Sequence, residues 1–414
     1  MFVAIVFTWI LTSAFAWLIV WLRNRRFRLK ESSPQVAKPT DRHIIAAGFG
    51  VPTPPSGGTT SAYAEFLQSF SRPLDTLHDS AVKLQNIYHG KVARCVSCLA
   101  IAILALGLSL TVFHGNKPMK VFSASVDVAA LLLSFWYWWQ ALSANHRWVA
   151  TRTKTELLRQ AGLIEPLLQP HSTVAPADAA AALFTRKARQ IDAEVIRPGP
   201  KSWLDQVRDL FRHKEALDDR TSEYWGAERQ RLAAATNAAQ LDPQDLVLYL
   251  RRRPVRQLAW FRLAQQRLHG SGRRRAMLLA GLYGLAVGLA GLKAAMTNSR
   301  QVAADAITAS AIEPSVAADL VAFVLLATTV LSATLTALYL SRNDRSLMHR
   351  YATQERRIED WLRAVTTFGA AAVTLKAASP AQFGPDVLKF EDIMVEELID
   401  WIRISTHDTI ELAP

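Results

Sequence analysis

Five long apolar stretches dominate this sequence of 414 residues and limit what it can fold into. A helix needs about 20 apolar residues to cross the hydrocarbon core of a bilayer, and core helices of soluble domains are usually shorter. The five stretches lie at 1–22, 95–113, 123–144, 276–296 and 317–341. Buried helices of a soluble protein are the alternative, but five such stretches in one chain favour a membrane. The sequence therefore predicts an all-α, multi-pass membrane protein.

The distribution of basic residues predicts the orientation of these spans, because Lys and Arg concentrate in cytoplasmic loops. Of the 48 Lys and Arg residues, 44 lie in 23–94, 142–275 and 342–414, which five spans place on one side. That side is predicted to be cytoplasmic, so the N-terminus lies outside and 1–22 is a reversed signal anchor. Topology and lipid headgroups then account for the net charge of +13, and a nucleic-acid surface is less favoured.

The same charged pattern follows the third and the fifth apolar stretches, and each of these stretches is the second span of a two-span hairpin. We call the two copies of the pattern the His-Arg signatures. The copies are HRWVATRTKTE, from His146 to Glu156, and HRYATQERRIE, from His349 to Glu359. A basic segment containing His-Gly precedes each hairpin, at 88–94 and at 268–275. The chain is therefore predicted to carry two copies of one module, in which a helix, a two-span hairpin and a second helix follow one another.

The repeat and the composition together divide the chain into six segments. They are an N-terminal transmembrane anchor (1–22), a basic Pro- and Gly-rich linker (23–60), a first two-span module (61–165), a cytoplasmic helical connector (166–249), a second two-span module (250–365) and an acidic cytoplasmic tail (366–414). In the tail, Ile393, Glu397, Leu398 and Trp401 predict an amphipathic helix that docks on the basic cytoplasmic body.

One helix face carries the candidate residues of each signature, because residues four apart lie on the same side of an α-helix. These residues are Trp148, Arg152 and Glu156 in the first copy and Tyr351, Glu355 and Glu359 in the second. One interpretation is a juxtamembrane anchor: the aromatic lies at the lipid surface, arginines meet lipid phosphates, and the glutamate pairs with a neighbouring helix. The other is a coupling helix that transmits a cytoplasmic event to the spans. Arg152 corresponds to Glu355, so the copies differ and are candidates to pair with each other.

The basic helix, the two-span hairpin and the sequence HRWVATRTKTELLRQ resemble the SMODS- and SLOG-associating two-transmembrane effector (SLATT) superfamily of bacterial membrane proteins. Its pattern of Trp, Arg, Glu, Leu and a basic residue is similar to Trp148, Arg152, Glu156, Leu158 and Arg159. The resemblance covers roughly 65–165 and 250–365, and the second copy departs from the pattern at Glu355. It implies a membrane effector in a nucleotide second-messenger conflict system, with a cyclic oligonucleotide or its synthetase system as a partner.

Polar and small residues inside the spans are further candidates. Gly284 and Gly288 form a GxxxG pattern, which predicts close helix packing within the chain or between protomers, with a hinge as the alternative. Asp127 and Asp319 each lie early in a span, where a carboxylate is a candidate for an ion pathway, although both could reach the outer interface. The CxxC at 95–98 opens an apolar span and is expected to pack there rather than act in redox chemistry.

No catalytic constellation emerges from the sequence, and no metal or cofactor site is expected. The motifs HExxH, GxSxG and the P-loop are absent from the chain. The expected function is an anti-phage or conflict-system effector that perturbs the bacterial inner membrane in response to a cytoplasmic signal. Five spans cannot enclose a wide pore, so a homo-oligomer in the bilayer is expected. The alternative is a membrane scaffold or sensor without permeability of its own.

Overall fold

The structure, a computed structural model, describes residues 61–111, 117–168, 174–196, 217–236, 242–269, 344–368, 373–375 and 383–407. Scattered helical positions between 277 and 330 are also described. The predicted span at 1–22, the linker at 23–60, most of the spans at 276–296 and 317–341, and Asp319 lie outside the described residues.

Helices account for nearly all of the described chain. They are α1 (Ala62–Thr111), α2 (Lys117–Leu168), α3 (Pro176–Ile191), α4 (Leu217–Thr236), α5 (Pro243–Leu250), α6 (256–269), α7 (Asp344–Val365) and α8 (Phe383–His407). One π-helical turn extends α3 over Asp192–Ile196, and a second joins α5 to α6 over Arg251–Val255. The predicted helical fold class is thus confirmed.

A small antiparallel hairpin is the exception to the all-helical prediction. Strand β1 (Thr366–Phe368) pairs with β2 (Val373–Leu375), and Thr367 lies opposite Thr374. Strands of three residues are too short for an alternating apolar and polar pattern to be read, so sequence periodicity could not predict them.

Local signals explain several helix boundaries. The Ser61 hydroxyl accepts a hydrogen bond from the backbone N–H of Ala64 at the start of α1. The Asp242 carboxylate accepts one from the backbone N–H of Gln244 and so caps the start of α5. Pro254 lacks an N–H, and it lies within the π-helical turn, where the regular hydrogen-bond ladder is already interrupted.

The described residues form two compact units. The first unit comprises 93–137 and the scattered positions between 277 and 330, and the second comprises 61–92, 138–269 and 344–407. The division follows hydropathy rather than the two predicted modules, since each unit contains part of both modules. We call the residues 93–111 and 117–137 of the first unit the apolar hairpin.

The apolar hairpin exposes large hydrophobic side chains. Ser123 Oγ donates to the Ala105 carbonyl and Ser134 Oγ to the Cys95 carbonyl at 3.0 Å, which ties its two arms together. The exposed side chains are Leu99, Ile103 and Leu106 on α1 and Val121, Phe122, Val128, Leu131, Leu132, Leu133, Phe135 and Trp136 on α2. Two of the described helices, α1 and α2, are long and apolar enough to cross a membrane. They carry the predicted spans at 95–113 and 123–144.

The second unit has an extensive hydrophobic core and is rich in buried ion pairs. The Tyr63 hydroxyl donates to the Leu163 carbonyl at 2.7 Å, which joins the start of α1 to the end of α2. Gly162 lies against the Phe70 ring so closely that a Cβ there would be 2.2 Å from it. Apolar residues of all the helices of this unit fill the core, among them Ile164, Leu246, Phe261, Leu362 and Phe390. This packing holds the two His-Arg signatures and α8 in defined positions.

Candidate functional site: the His-Arg signatures and the C-terminal helix

The first signature lies on α2 with its aromatic residue in the protein core. Trp148 is 7% exposed, stacks on Tyr88 of α1 at 5.7 Å between ring centres, and meets the edge of Trp401 of α8 at 5.5 Å. The anchor interpretation, in which this aromatic lies at the lipid surface, is therefore wrong for Trp148. An indole buried against two other aromatic rings contributes packing energy to the fold instead.

Arg152 also has a partner inside the protein rather than a lipid phosphate. Its guanidinium lies 4.3 Å from the centre of the Trp401 ring, within the range of a cation–π contact. Glu355, which corresponds to Arg152 in the second copy, accepts hydrogen bonds from Arg262 and Gln265 of α6. The non-equivalent positions of the two copies thus bind different helices.

Glu156 joins α2 to the π-helical turn that precedes α6. It pairs with Arg159 at 2.5 Å and lies 3.9 Å from the guanidinium of Arg253. Burial alone would raise the pKa of Glu156, but the charges of Arg159, Arg253 and Arg152 outweigh it and lower the pKa to about 2. The carboxylate is therefore ionised at neutral pH, and its predicted pairing with a neighbouring helix segment is observed.

The second signature repeats this arrangement in a different register. Tyr351 contacts Trp260 and Phe261 of α6, with ring centres 5.3 and 5.5 Å apart. Glu359 accepts a hydrogen bond from Arg262 of the same helix. In both copies the signature aromatic packs on an aromatic residue of the helix that precedes the hairpin. However, Tyr88 directly precedes the His-Gly of the first module, whereas Trp260 lies nine residues before the histidine of the second. The two aromatic contacts therefore use different positions of the helices that precede the hairpins.

The C-terminal helix α8 contacts both signatures. Glu397 pairs with Arg350 of the second signature at 2.7 Å, and both side chains are about nine-tenths buried. Trp401, one turn further along α8, holds the cation–π and edge contacts with the first signature. The amphipathic tail helix predicted from Ile393, Glu397, Leu398 and Trp401 is thus confirmed.

Glu391, at the middle of α8, forms a buried ion pair with Arg253 that the sequence did not predict. The Glu391 carboxylate is inaccessible to solvent, accepts hydrogen bonds from Arg253 at 3.1 Å and from the Tyr249 hydroxyl at 2.9 Å, and lies in the apolar core. The signal was present in the sequence, because Glu391 falls between Val387 and Met394 on the buried stripe of α8. A charge at a core position indicates a buried partner.

A second buried ionic cluster joins α2, α3 and α4. Lys187 lies 2.9 Å from Glu228 and 3.6 Å from Glu165, and Arg231 binds both carboxylates. Burial alone would raise the pKa of Glu228, but hydrogen bonds from Arg231 and Lys187 hold the pKa below its ordinary value. Lys187 shows the same signal as Glu391, since it lies between Leu183 and Ile191 on the buried stripe of α3.

The remaining candidates belong to the first unit or lie outside the described residues. Asp127 is half-buried on the apolar hairpin, and Asp319 lies outside the described residues. Gly284 and Gly288 are exposed, and an added Cβ at either would meet no atom of the described chain within 4 Å. Cys95 and Cys98 are free thiols, and Cys95 Sγ lies 3.4 Å from Ser134 Oγ. Within the described residues, no group of His, Cys, Asp and Glu could hold a metal ion.

No protein-family model, curated protein or solved structure matches this chain. The SLATT resemblance therefore depends on the hairpin pattern and the residues that follow it, and what it implies about function is a proposal. The apolar hairpin and the second unit are the parts of the molecule that bear on it.

Proposed function

We propose that this protein is a multi-pass membrane effector of the bacterial inner membrane, which perturbs or permeabilises the bilayer when a cytoplasmic signal acts on its second unit. The apolar hairpin carries this proposal. Soluble monomers rarely expose contiguous apolar patches beyond a few hundred Å², and here eleven large apolar side chains are exposed on two neighbouring helix segments. Contact of this apolar surface with lipid chains has no free-energy cost, whereas its contact with water is unfavourable.

The ends of the apolar hairpin support the same placement. Lys91 donates a hydrogen bond to Gln140, and the Arg94 guanidinium lies 5.6 Å from the Tyr137 ring centre. Trp138 and Trp139 follow directly. Basic residues beside Tyr and Trp are typical of the boundary between lipid and water. The bilayer boundary would then lie near these residues, with the opposite boundary near Lys117.

A coupling route is supported by the continuity of α2. This single helix carries the exposed apolar residues and, further along, the buried Trp148 and Glu156 of the first signature. In this proposal, a signal that repacks the signature acts on the apolar part of α2 through this helix. The proposal assigns no catalytic step to the protein, and a permeable state would require several copies of the chain.

Dye release from vesicles tests the proposal. Purified protein is reconstituted into liposomes of bacterial lipid, insertion is verified by flotation and resistance to carbonate, and release is followed with and without a panel of cyclic di- and oligonucleotides. Release that depends on one nucleotide would support a gated effector and identify the signal. Release without any nucleotide would support membrane perturbation with a different trigger. The absence of release from inserted protein would contradict the proposal.

A non-catalytic membrane scaffold or sensor is the second candidate, and the buried ionic clusters favour it. Pairs such as Lys187 with Glu228 and Arg253 with Glu391 have nearly no access to water, so breaking them is costly. A unit whose helices are joined by such ion pairs could serve as a rigid binding surface for a protein partner. An inserted protein that releases no dye in any arm of the vesicle experiment would favour this function.

A further inference from the structure

The C-terminal helix α8 connects the two repeats. Its residue Trp401 meets Trp148 and Arg152 of the first signature, and its residue Glu397 binds Arg350 of the second. Trp401 is four positions after Glu397, so a single turn of α8 lies against both signatures. A change in the position of this one turn would alter the contacts of both copies together.

Apolar burial favours the docked position of this turn. Leu398, Trp401 and Ile402 are at most 5% exposed and lie in one hydrophobic cluster with Trp148. Near the start of α8, the Trp361 indole of α7 donates to the Asp386 carbonyl at 2.9 Å. Transfer of the apolar side chains out of water is the main stabilising contribution to docking.

Buried polar groups at the same contact oppose it. The Nε and Nη1 atoms of Arg350 and the Oε1 atom of Gln354, one turn further along α7, are buried without a hydrogen-bond partner in the described structure. Burial raises the pKa of Glu397 although Arg350 and Arg152 act in the opposite direction, so the ionised carboxylate is poorly solvated there. Arg350 and Glu397 would both regain water if the turn undocked. The docked state is thus a balance between two sizeable contributions, which suits a reversible contact.

We propose that α8 is an internal clamp that, while docked on both His-Arg signatures, holds the protein in its resting state, and whose release frees α2 and α7 to act on the membrane. The proposal rests on the proposed effector function, because it names the regulation of that function. Release means that this turn of α8 moves away from both signatures, and it requires no covalent change. Any signal that competes for Trp401 or Arg350 would act through it.

The test loosens the clamp in the full-length protein without touching the apolar hairpin. Trp401→Ala removes the contacts with Trp148 and Arg152, and Ile402→Ala is a milder change at a fully buried position. Asp400→Asn is the matched control, because this neighbouring side chain is 54% exposed. Hydrogen exchange of 397–402 in vesicles measures undocking of the turn, exchange of Pro176–Ile191 reports an intact fold, and dye release measures the effect on the membrane.

We expect faster exchange of α8 and several-fold faster dye release in the absence of any nucleotide for Trp401→Ala and Ile402→Ala, and wild-type behaviour for Asp400→Asn. Faster exchange without faster release, while the wild type still releases dye with a nucleotide, would overturn the clamp and leave the effector function standing. Unchanged exchange in both folded variants would also overturn it, since α8 would then be a fixed part of the fold. No release from any protein under any condition would overturn the effector function and the clamp with it.

Discussion

The guanidinium of Arg152 lies over the ring of Trp401, 4.3 Å from its centre, so the first His-Arg signature and the C-terminal helix meet through a cation–π contact. These residues are far apart in the chain and belong to segments that the repeat alone would treat as separate. Their contact makes the acidic tail part of the signature site. Mutations in α8 should therefore affect the same properties as mutations in the signatures.

The buried pair of Arg253 and Glu391 is predicted to be important for stability. Glu391→Gln leaves the Arg253 charge buried beside a neutral amide, and we expect a loss of about 3–5 kcal/mol in the free energy of unfolding. Glu396→Gln is the control, because its pair with Arg357 is exposed and is expected to contribute about 1 kcal/mol or less. Denaturation of the detergent-solubilised proteins, followed by tryptophan fluorescence, checks both values. Equal effects of the two substitutions would contradict the buried pair.

The close approach of Gly162 to Phe70 predicts a steric effect of one methyl group. Gly162→Ala places a Cβ 2.2 Å from the Phe70 ring, and overpacking of this kind costs about 1–3 kcal/mol. Gly226→Ala on α4 has nothing within 4 Å of the added methyl and should stabilise its helix by about 0.5–1 kcal/mol. Thermal unfolding of the two variants should therefore shift in opposite directions. Phe70→Leu added to Gly162→Ala should recover part of the loss.

The lowered pKa of Glu156 predicts how its contribution depends on pH. The arginines around it lower the pKa from its ordinary value of 4.5 to about 2 in the folded protein, so ionised Glu156 stabilises the fold above about pH 4.5. That contribution is lost as the pH falls from 4.5 towards 2. The difference in unfolding free energy between wild type and Glu156→Gln should be constant from about pH 7 to about pH 5 and narrow below that range. A difference that does not change down to about pH 2 would contradict the assignment.

A charge reversal in the second signature should separate membrane insertion from activity. Glu359→Lys places a cation beside Arg262, which Glu359 and Glu355 both bind in the wild type, and should repel α6 from α7. We expect dye release to be lost or to lose its dependence on the signal, while flotation shows normal insertion. Asp360→Lys is the matched control, because Asp360 is the next residue and is exposed. If dye release from the Glu359→Lys protein still depended on the signal as in the wild type, a coupling role for the pair of Glu359 and Arg262 would be excluded.

The sequence predicted the helices and their faces well but not their partners. The spacing of Trp148, Arg152 and Glu156 placed them on one face of α2, and the structure agrees. Spacing says nothing about which helix covers that face, so the aromatic was assigned to lipid in one interpretation although it packs on Tyr88 and Trp401. The contacts of α8 are between residues far apart in the chain, and only the tertiary structure brings them together.

Buried charges were the largest omission from the sequence-based predictions. Glu391 and Lys187 occupy apolar stripes of their helices, and a hydrophobic pattern treats a charged residue there as an interruption rather than as half of a pair. The partner of each lies on another helix, at Arg253 and at Glu228. The π-helical turn that presents Arg253 has no signal in the sequence beyond Pro254. Sequence patterns thus locate such residues, but the pairing needs the packed structure.

The placement of the apolar hairpin in lipid is the central claim, and a spin label at Leu132 tests it most directly. Leu132 is 66% exposed on the apolar hairpin, and Ile87, at 49%, is exposed on α1 within the second unit. Labels are attached through Leu132→Cys and Ile87→Cys in a chain with Cys95→Ala and Cys98→Ala, reconstituted in vesicles. Oxygen, which dissolves in lipid, should relax the label at 132, and a water-soluble nickel complex should relax the label at 87. Equal access of the nickel complex to both labels would contradict the account.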